Sequence, residues 1–168
     1  MTQETGPVVV PARADEPAVL ALLADYAEEL AARGIVLHQD EGGSVTPEEM
    51  APPRGAFHVV TLGGRPVACG GVRLLDPGTA EVKRMYVAPT ARRRGVARTL
   101  LGRLEQDARD LGCSAVRLDT GPGMDAAITL YRASGYREID DYNGNPHAGH
   151  WFEKALARQG VPADRLVD

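Results

Sequence analysis

Hydrophobic residues follow first a strand period and then a helix period in the opening third of the chain. Residues 8–10 are three valines, a β-branched run that predicts a strand. From Val19 to Leu30 apolar residues recur at helical spacing, and Gly34 ends the pattern. Residues 34–55 are rich in glycine, proline and acidic residues, which predicts a surface loop with at most a short helical turn.

The middle of the chain repeats this change of period. The segments Phe57 to Leu62 and Val67 to Leu75 flank a Gly-Gly dipeptide, which favours a tight hairpin turn because glycine tolerates positive φ. A turn at residues 76–78 leads into a strand from Ala80 to Val87. Apolar residues then line one face from Val96 to Leu111, which predicts the clearest helix in the sequence.

The last third predicts a strand, a helix and two closing strands. They cover Ala115 to Leu118, Ala127 to Ser134, Tyr136 to Ile139 and Trp151 to Lys154. A strand–helix–strand crossover from Val82 to Val116 implies one parallel pair. We therefore expect a single α/β (α+β) domain spanning residues 1–168. Its central sheet should be mixed and mostly antiparallel, with about six to seven strands, and flanked by helices.

The charge balance and the cysteines narrow the class of protein. The chain has 168 residues, a net charge of -4 and a pI of about 5.6, so neither nucleic acid nor an anionic membrane is an expected partner. Cys69 and Cys113 lack a CxxC spacing, which favours buried, reduced thiols. His147 and His150 have no further ligands at metal spacing, so we expect no metal site. With no leader-like pattern at residues 1–4, a cytoplasmic protein is expected.

A basic segment lies between the predicted strand and the clearest helix. It reads Arg92-Arg93-Arg94-Gly95-Val96-Ala97-Arg98. At such a helix start the backbone N–H groups and the helix dipole converge, and the small residues let a pyrophosphate approach the backbone. An arginine cluster alone would also fit a solvated face or a nucleic-acid patch, but its position after a strand favours phosphate. Neither GxxxxGK[ST] nor GxGxxG occurs, so other nucleotide loops fit poorly.

Two sequence blocks carry a family resemblance. The first is Arg92-x-x-Gly95-x-Ala97, which follows the strand at residues 81–87. The second is Ala127-x-x-Leu130-Tyr131-x-x-x-Gly135-Tyr136. Together they resemble the [Q/R]-x-x-G-x-[G/A] and A-x-x-L-Y-x-x-x-G-[F/Y] signatures of the GNAT superfamily of N-acetyltransferases. The resemblance implies the GNAT-like fold and an enzyme that uses acetyl-CoA as its acyl donor.

The resemblance also implies where the cofactor would lie. Its pantetheine arm is expected along Met85, Tyr86 and Val87, on a strand that separates from its neighbour. A backbone amide near Val87 would then bind the thioester carbonyl, as an oxyanion hole does. Residues 92–98 would hold the phosphates, and Thr120 is a further candidate contact to the arm.

Two residues are candidates for acid–base catalysis. Tyr131 matches a tyrosine that in many relatives acts as general acid for the departing thiolate. Glu81 lies eleven residues before Arg92, the spacing at which some relatives carry a general-base glutamate. The alternatives are a core aromatic for Tyr131 and a solvated or salt-bridged residue near Lys83 for Glu81.

The acceptor is expected between two loops, residues 34–50 and 140–150. Acidic and aromatic residues there suit a cationic amine, although ordinary polar loops have the same composition: His38, Asp40, Glu41, Asp141, Tyr142 and His147. We therefore predict acetylation of the primary amine of a small molecule by direct attack. The alternatives are a protein lysine or N-terminal acetyltransferase, or a non-catalytic acyl-CoA-binding domain. A homodimer is left open.

Overall fold

The computed structural model describes residues 5–35 and 45–157 of the chain. These residues form three α-helices, namely α1 (Pro17–Ala31), α2 (Val96–Asp110) and α3 (Asp125–Ala133). They also form seven strands: β1 (Val8–Pro11), β2 (Gly55–Leu62), β3 (Arg65–Asp76), β4 (Thr79–Val87), β5 (Ala115–Thr120), β6 (Arg137–Ile139) and β7 (His150–Ala155). A short 3₁₀ turn at Pro89–Ala91 lies between β4 and α2.

The strands form one sheet in the order β1-β2-β3-β4-β5-β7-β6. Neighbouring strands are antiparallel except β4 and β5, which are parallel and joined by the α2 crossover. The predicted mixed, mostly antiparallel sheet with one parallel crossover is therefore confirmed. Gly63 and Gly64 have φ values of 56° and 79°, as the two-residue hairpin turn between β2 and β3 requires.

The helices cover both faces of the sheet. Buried residues of α2 and α3 belong to one core, and those of α1 belong to another. On β2, Val60 lies in the first core and its neighbour Val59 in the second, and on β3 Ala68 and Cys69 divide in the same way. Because successive strand residues point to opposite faces, α2 and α3 cover one face and α1 covers the other.

Strands β4 and β5 pair over a short stretch and then separate. Their parallel register ends at Glu81 and Arg117. Beyond that point none of the described strands pairs with this edge of β4, so backbone groups of residues 82–87 border the gap between the two strands. The separation that the family resemblance implied for this strand is present.

A β-bulge lies in β4 beside this gap. Gly70 of β3 faces two residues of β4, Arg84 and Met85, because the register shifts there by one position. Arg84 has a φ of 56°, in the left-handed region that is uncommon for residues with a Cβ. A Cβ at position 70 would lie 3.3 Å from the side chains of both Leu100 and Leu104, so glycine permits the close packing of α2.

The predicted start of the strand at Tyr136 is one residue early. Tyr136 was expected to open a strand, but its backbone N–H donates to the carbonyl of Tyr131 at 3.0 Å. Gly135, with a φ of 92°, reverses the chain after α3, as glycine commonly does at helix ends. Tyr136 therefore closes the turn that follows α3, and the strand begins one residue later.

Candidate active site

The start of α2 presents its backbone to an anion. Gly95 precedes the helix with a φ of 77°, and Arg93 has a φ of 63°. The helix has neither a side-chain cap nor an acidic residue in its first turn, so its first N–H groups lack side-chain acceptors. A Cβ at Gly95 would meet nothing within 4 Å. Open space, N–H groups without side-chain acceptors and the helix dipole together favour an anion such as phosphate at this position.

The arginines of residues 92–98 are all exposed. Arg92 donates to the carbonyl of Val87 at 3.1 Å and pairs with Glu29 of α1 at 2.7 Å. Arg92 therefore ties the loop to β4 and α1. The remaining arginines lie at the surface around the start of α2, where they can approach a phosphate.

Two predicted cofactor residues turn their side chains into the core. Val96 is 1% exposed, and Tyr86 is buried with its hydroxyl 3.2 Å from Glu29. Only their backbone groups can contact a bound molecule. Met85, Val87 and Ala97 are half-buried, so their side chains can form part of a binding surface.

A cavity of about 140 Å³ occupies the gap between β4 and β5. It is lined by both strands, α1, α3 and the loop before β7. Three residues predicted from separate parts of the sequence meet on its wall: Met85, Thr120 and Tyr131. Its charged side chains are those of Lys83, Arg84 and Asp119.

Tyr131 reaches the cavity from the core. Its ring lies 5.8 Å from the rings of both Tyr136 and Phe152. Within the described ranges its hydroxyl makes no hydrogen bond, so it is available as a donor to a ligand. Burial raises the pKa of Tyr131, and the nearby Tyr26 and Asp119 add to this effect. The hydroxyl is therefore protonated at neutral pH.

Glu81 is fully buried and does not line the cavity. Its Oε1 accepts from Arg73 at 3.0 Å, and its Oε2 accepts from the hydroxyl of Tyr142 at 2.6 Å and from Asn143 at 3.3 Å. Lys83 lies 3.7 Å from Oε2. Glu81 thus joins β4 to the loop between β6 and β7, and the salt bridge expected as an alternative is present. Its action as general base stays a prediction.

Asp119 is a candidate that the sequence reasoning missed. Its side chain, 11% exposed, lies on the cavity wall. Lys83 at 3.3 Å, Asn143 at 2.5 Å and Asn145 at 3.3 Å all donate to Oδ2. No described residue donates to Oδ1, which leaves one carboxylate oxygen for a ligand. The available signal was an acidic residue beside Thr120 at the carboxyl end of a predicted strand.

Of the predicted acceptor residues that the structure describes, only His147 lines the cavity. His38, Asp40 and Glu41 lie outside the described residues. Asp141 is exposed, accepts backbone N–H groups of its own loop and does not line the cavity. Tyr142 contacts Glu81, whereas His147 lies on the cavity wall.

The part of the chain that the structure describes holds neither a candidate metal centre nor a membrane-crossing helix. No group of three or more histidine, cysteine, aspartate or glutamate residues there is placed to hold a metal ion. None of the helices formed by residues 5–35 and 45–157 is long and apolar enough to cross a membrane. Cys69 and Cys113 are buried and free, as predicted.

Sequence comparison identifies related proteins. The sequence model of the Acetyltransferase (GNAT) family matches residues 18–136. A protein named IAA acetyltransferase from Azospirillum brasilense is 40% identical over 92 residues. That alignment covers 54% of this chain and 60% of the relative, so the chain spans less than two thirds of that protein. The family match and this relative support an acyl-CoA-dependent N-acetyltransferase, as predicted.

Solved structures share the fold. An acetyltransferase of the GNAT family from Staphylococcus aureus has a TM-score of 0.74 at 15% identity, over 90% of this chain and 100% of that one. A GNAT family acetyltransferase from Elizabethkingia anophelis, with acetyl-CoA bound, has a TM-score of 0.63 at 17% identity, over 91% of this chain and 100% of that one. These likenesses confirm the predicted GNAT-like fold. Since the family model matches residues 18–136, more than half of the chain, the chain belongs to the Acetyltransferase (GNAT) family.

Proposed function

We propose that this protein transfers the acetyl group of acetyl-CoA to the primary amine of a small molecule. The proposal rests on strand β4 and on the two features that adjoin it. Strand β4 borders the cavity with an unpaired edge and then leads into the anion-binding start of α2. A cytoplasmic location, supported by the two free cysteines, is part of the proposal.

The described residues suit both the phosphate end and the thioester-bearing arm of acetyl-CoA. The first N–H groups of α2 and the exposed arginines of residues 92–98 suit its phosphates. The unpaired edge of β4 at residues 82–87 can hydrogen-bond an extended amide-containing arm, as a sheet edge binds an added strand. When bound, acetyl-CoA supplies the thioester carbon for transfer. An amide near Val87 would stabilise the charge that develops on its oxygen.

The transfer needs one proton donor and one proton acceptor. The amine nitrogen forms a bond to the acyl carbon while the C–S bond breaks and the sulfur leaves with the electron pair. Tyr131 can give its proton to that sulfur, because its hydroxyl is protonated and no described residue engages it. A carboxylate takes the proton that the nitrogen loses.

Asp119 and Glu81 are the two candidates for this carboxylate. Asp119 lines the cavity and has one oxygen that no described residue uses, whereas both oxygens of Glu81 are engaged away from the wall. We therefore propose Asp119 as the base and Glu81 as a positioning residue that acts through Tyr142. Asp119→Asn should slow turnover most at neutral pH and recover at high pH, where amines lose their protons unaided. Recovery at high pH in Glu81→Gln instead would make Glu81 the base.

Binding of acetyl-CoA is tested at Gly95. Gly95→Glu places a side chain and a negative charge in front of the free N–H groups, so acetyl-CoA binding measured by calorimetry should be abolished. Gly102→Glu is the control for the added charge, because it adds the same charge at an exposed position of the same helix with open space around it. Unlike Gly95, Gly102 has no positive φ that a side chain would strain. Equal affinity in both variants would contradict the proposed phosphate site.

Turnover is tested by release of the coenzyme A thiol over a panel of acceptors. The panel contains small primary amines, lysine peptides and peptides with free N-termini. Release with small amines supports the proposal, and release with peptides alone supports a protein acetyltransferase. Binding of acetyl-CoA without release on any acceptor would mark a non-catalytic domain.

A further inference from the structure

The two cationic side chains on the cavity wall differ in whether a carboxylate lies beside them. Lys83 lies 3.3 Å from Asp119 and 3.7 Å from Glu81, so its positive charge has carboxylate partners. Arg84, the next residue along β4, has no carboxylate within ion-pair distance among the described residues. The cavity therefore carries one cation that no described side chain neutralises.

The contacts of Arg84 leave most of its donors unused. The side chain is half-buried, and its Nη2 donates to the carbonyl of Val45 at 2.6 Å. A guanidinium has five N–H donors in a planar fork, and no other described group accepts from this one. The bond to Val45 holds the fork in place without neutralising its charge.

Partly buried arginines on neighbouring strands are paired. Arg73 of β3 lies 2.8 Å from Glu49, and Arg117 of β5 lies 2.7 Å from Glu153. Removing a cation from water without a counter-charge costs free energy, which the anion of a ligand would offset. Burial also lowers the pKa of Arg84, yet a guanidinium keeps its proton at neutral pH.

The backbone places Arg84 on the wall at a conformational cost. Its left-handed φ of 56° belongs to the bulge opposite Gly70. Such conformations cost free energy for residues with a Cβ, and they concentrate at ligand sites. The bulge turns the side chain of Arg84 away from the direction that regular strand alternation would give it.

We infer that Arg84 binds a carboxylate of the acceptor, so that the acceptor is an amino acid or a similar compound with a carboxylate beside its primary amine. The inference rests on the proposed function, because it describes the second substrate of the same site. The guanidinium fork matches a carboxylate in a bidentate geometry. Oδ1 of Asp119 can receive the ammonium group on the same wall. The two ends of a zwitterion would thus meet opposite charges.

The test compares amino acids with their amides. Standard amino acids and the corresponding α-carboxamides have nearly the same shape and differ in the negative charge. The amine of the amide also has the lower pKa, which by itself favours the amide, so a preference for the acid must come from its carboxylate. For an accepted amino acid, kcat/KM should exceed that of its amide by about 10-fold or more. Arg84→Asn should lower kcat/KM for the acid by about 10-fold or more and change that for the amide by less than about 3-fold, since asparagine tolerates the left-handed backbone.

A control variant and a binding measurement separate Arg84 from a general loss of charge. Arg33→Gln removes a positive charge beside the cavity residue Met124, 3.2 Å away, without changing a residue on the wall. It should keep the preference of the parent for the acid. Calorimetric titration of the amino acid into protein saturated with coenzyme A should show weaker binding in Arg84→Asn and unchanged binding in Arg33→Gln.

Three results would overturn the inference. The parent could acetylate the amides as well as the acids, or Arg84→Asn could slow both to the same degree; in either case the proposed function stands and Arg84 has another role. Bound acetyl-CoA without acetylation of any small amine would overturn the proposed function together with the inference. Where Arg84→Asn does not fold, Arg84→Lys keeps the charge without the fork and should still reduce the preference for the acid.

Discussion

Replacing Tyr131 by phenylalanine removes the proposed acid and keeps its packing. The ring contacts with Tyr136 and Phe152, each at 5.8 Å, do not involve the hydroxyl. Because no described residue bonds to that hydroxyl, the free energy of unfolding should change by less than about 0.5 kcal/mol. Loss of a general acid should lower kcat by about 10²-fold or more, which corresponds to about 2.7 kcal/mol in the transition state.

Tyr136→Phe is the matched control, because it makes the same change in the adjacent ring. The hydroxyl of Tyr136 donates to Glu105 at 3.0 Å, and both groups are buried. A hydrogen bond to a charged group contributes about 1.5–3 kcal/mol, so this variant should be destabilised by about that amount. Glu105 keeps its ion pair with Lys154 at 3.0 Å. The kcat of Tyr136→Phe should stay near that of the parent.

Thiol release and denaturant unfolding measure the two effects separately. The expected result is a slow but stable Tyr131→Phe and an active but less stable Tyr136→Phe. Affinity for acetyl-CoA should change little in either variant. Since burial raises the pKa of Tyr131, its deprotonation should not lower kcat at or below pH 10. A Tyr131→Phe variant with the kcat of the parent would refute the reasoning and make Tyr131 a core aromatic.

Three further predictions concern stability and reactivity. His58 and Asp107 form a buried pair at 2.5 Å, so Asp107→Ala should lower the free energy of unfolding by about 3 kcal/mol in denaturant titrations. Burial raises the pKa of Cys69 to about 12, so a thiol reagent at pH 8 should meet a thiolate fraction of about 10⁻⁴ and label this cysteine only after unfolding. The hydrogen bond from Arg117 lowers the pKa of Glu153 below its ordinary 4.5, so their pairing stabilises the fold above that pH and is lost as pH falls further. The destabilisation caused by Arg117→Leu at pH 7 should therefore shrink in acid unfolding experiments below about pH 4.

Local patterns in the sequence were sufficient to predict the helices and strands, the fold class and the family. The change of period after Val87, the Gly63-Gly64 turn and the helix that starts at Val96 each depend on residues within one or two turns of chain. The candidate anion-binding loop could be located for the same reason, because a helix start presents its N–H groups wherever it occurs. The family motif added Tyr131, which the structure places on the cavity wall.

The charged partners at the site were decided by tertiary structure. Glu81 and Tyr142 are 61 positions apart in sequence, and Lys83 and Asp119 are 36 apart. Their hydrogen bonds exist only because the sheet order brings β4 and β5 beside the loop that precedes β7. The absence of a described carboxylate within ion-pair distance of Arg84 is likewise invisible in sequence, where Glu81 lies three positions before it. Periodicity depends on neighbours along the chain, whereas the partners and burial of a charge depend on neighbours in space, which here only the tertiary structure determines.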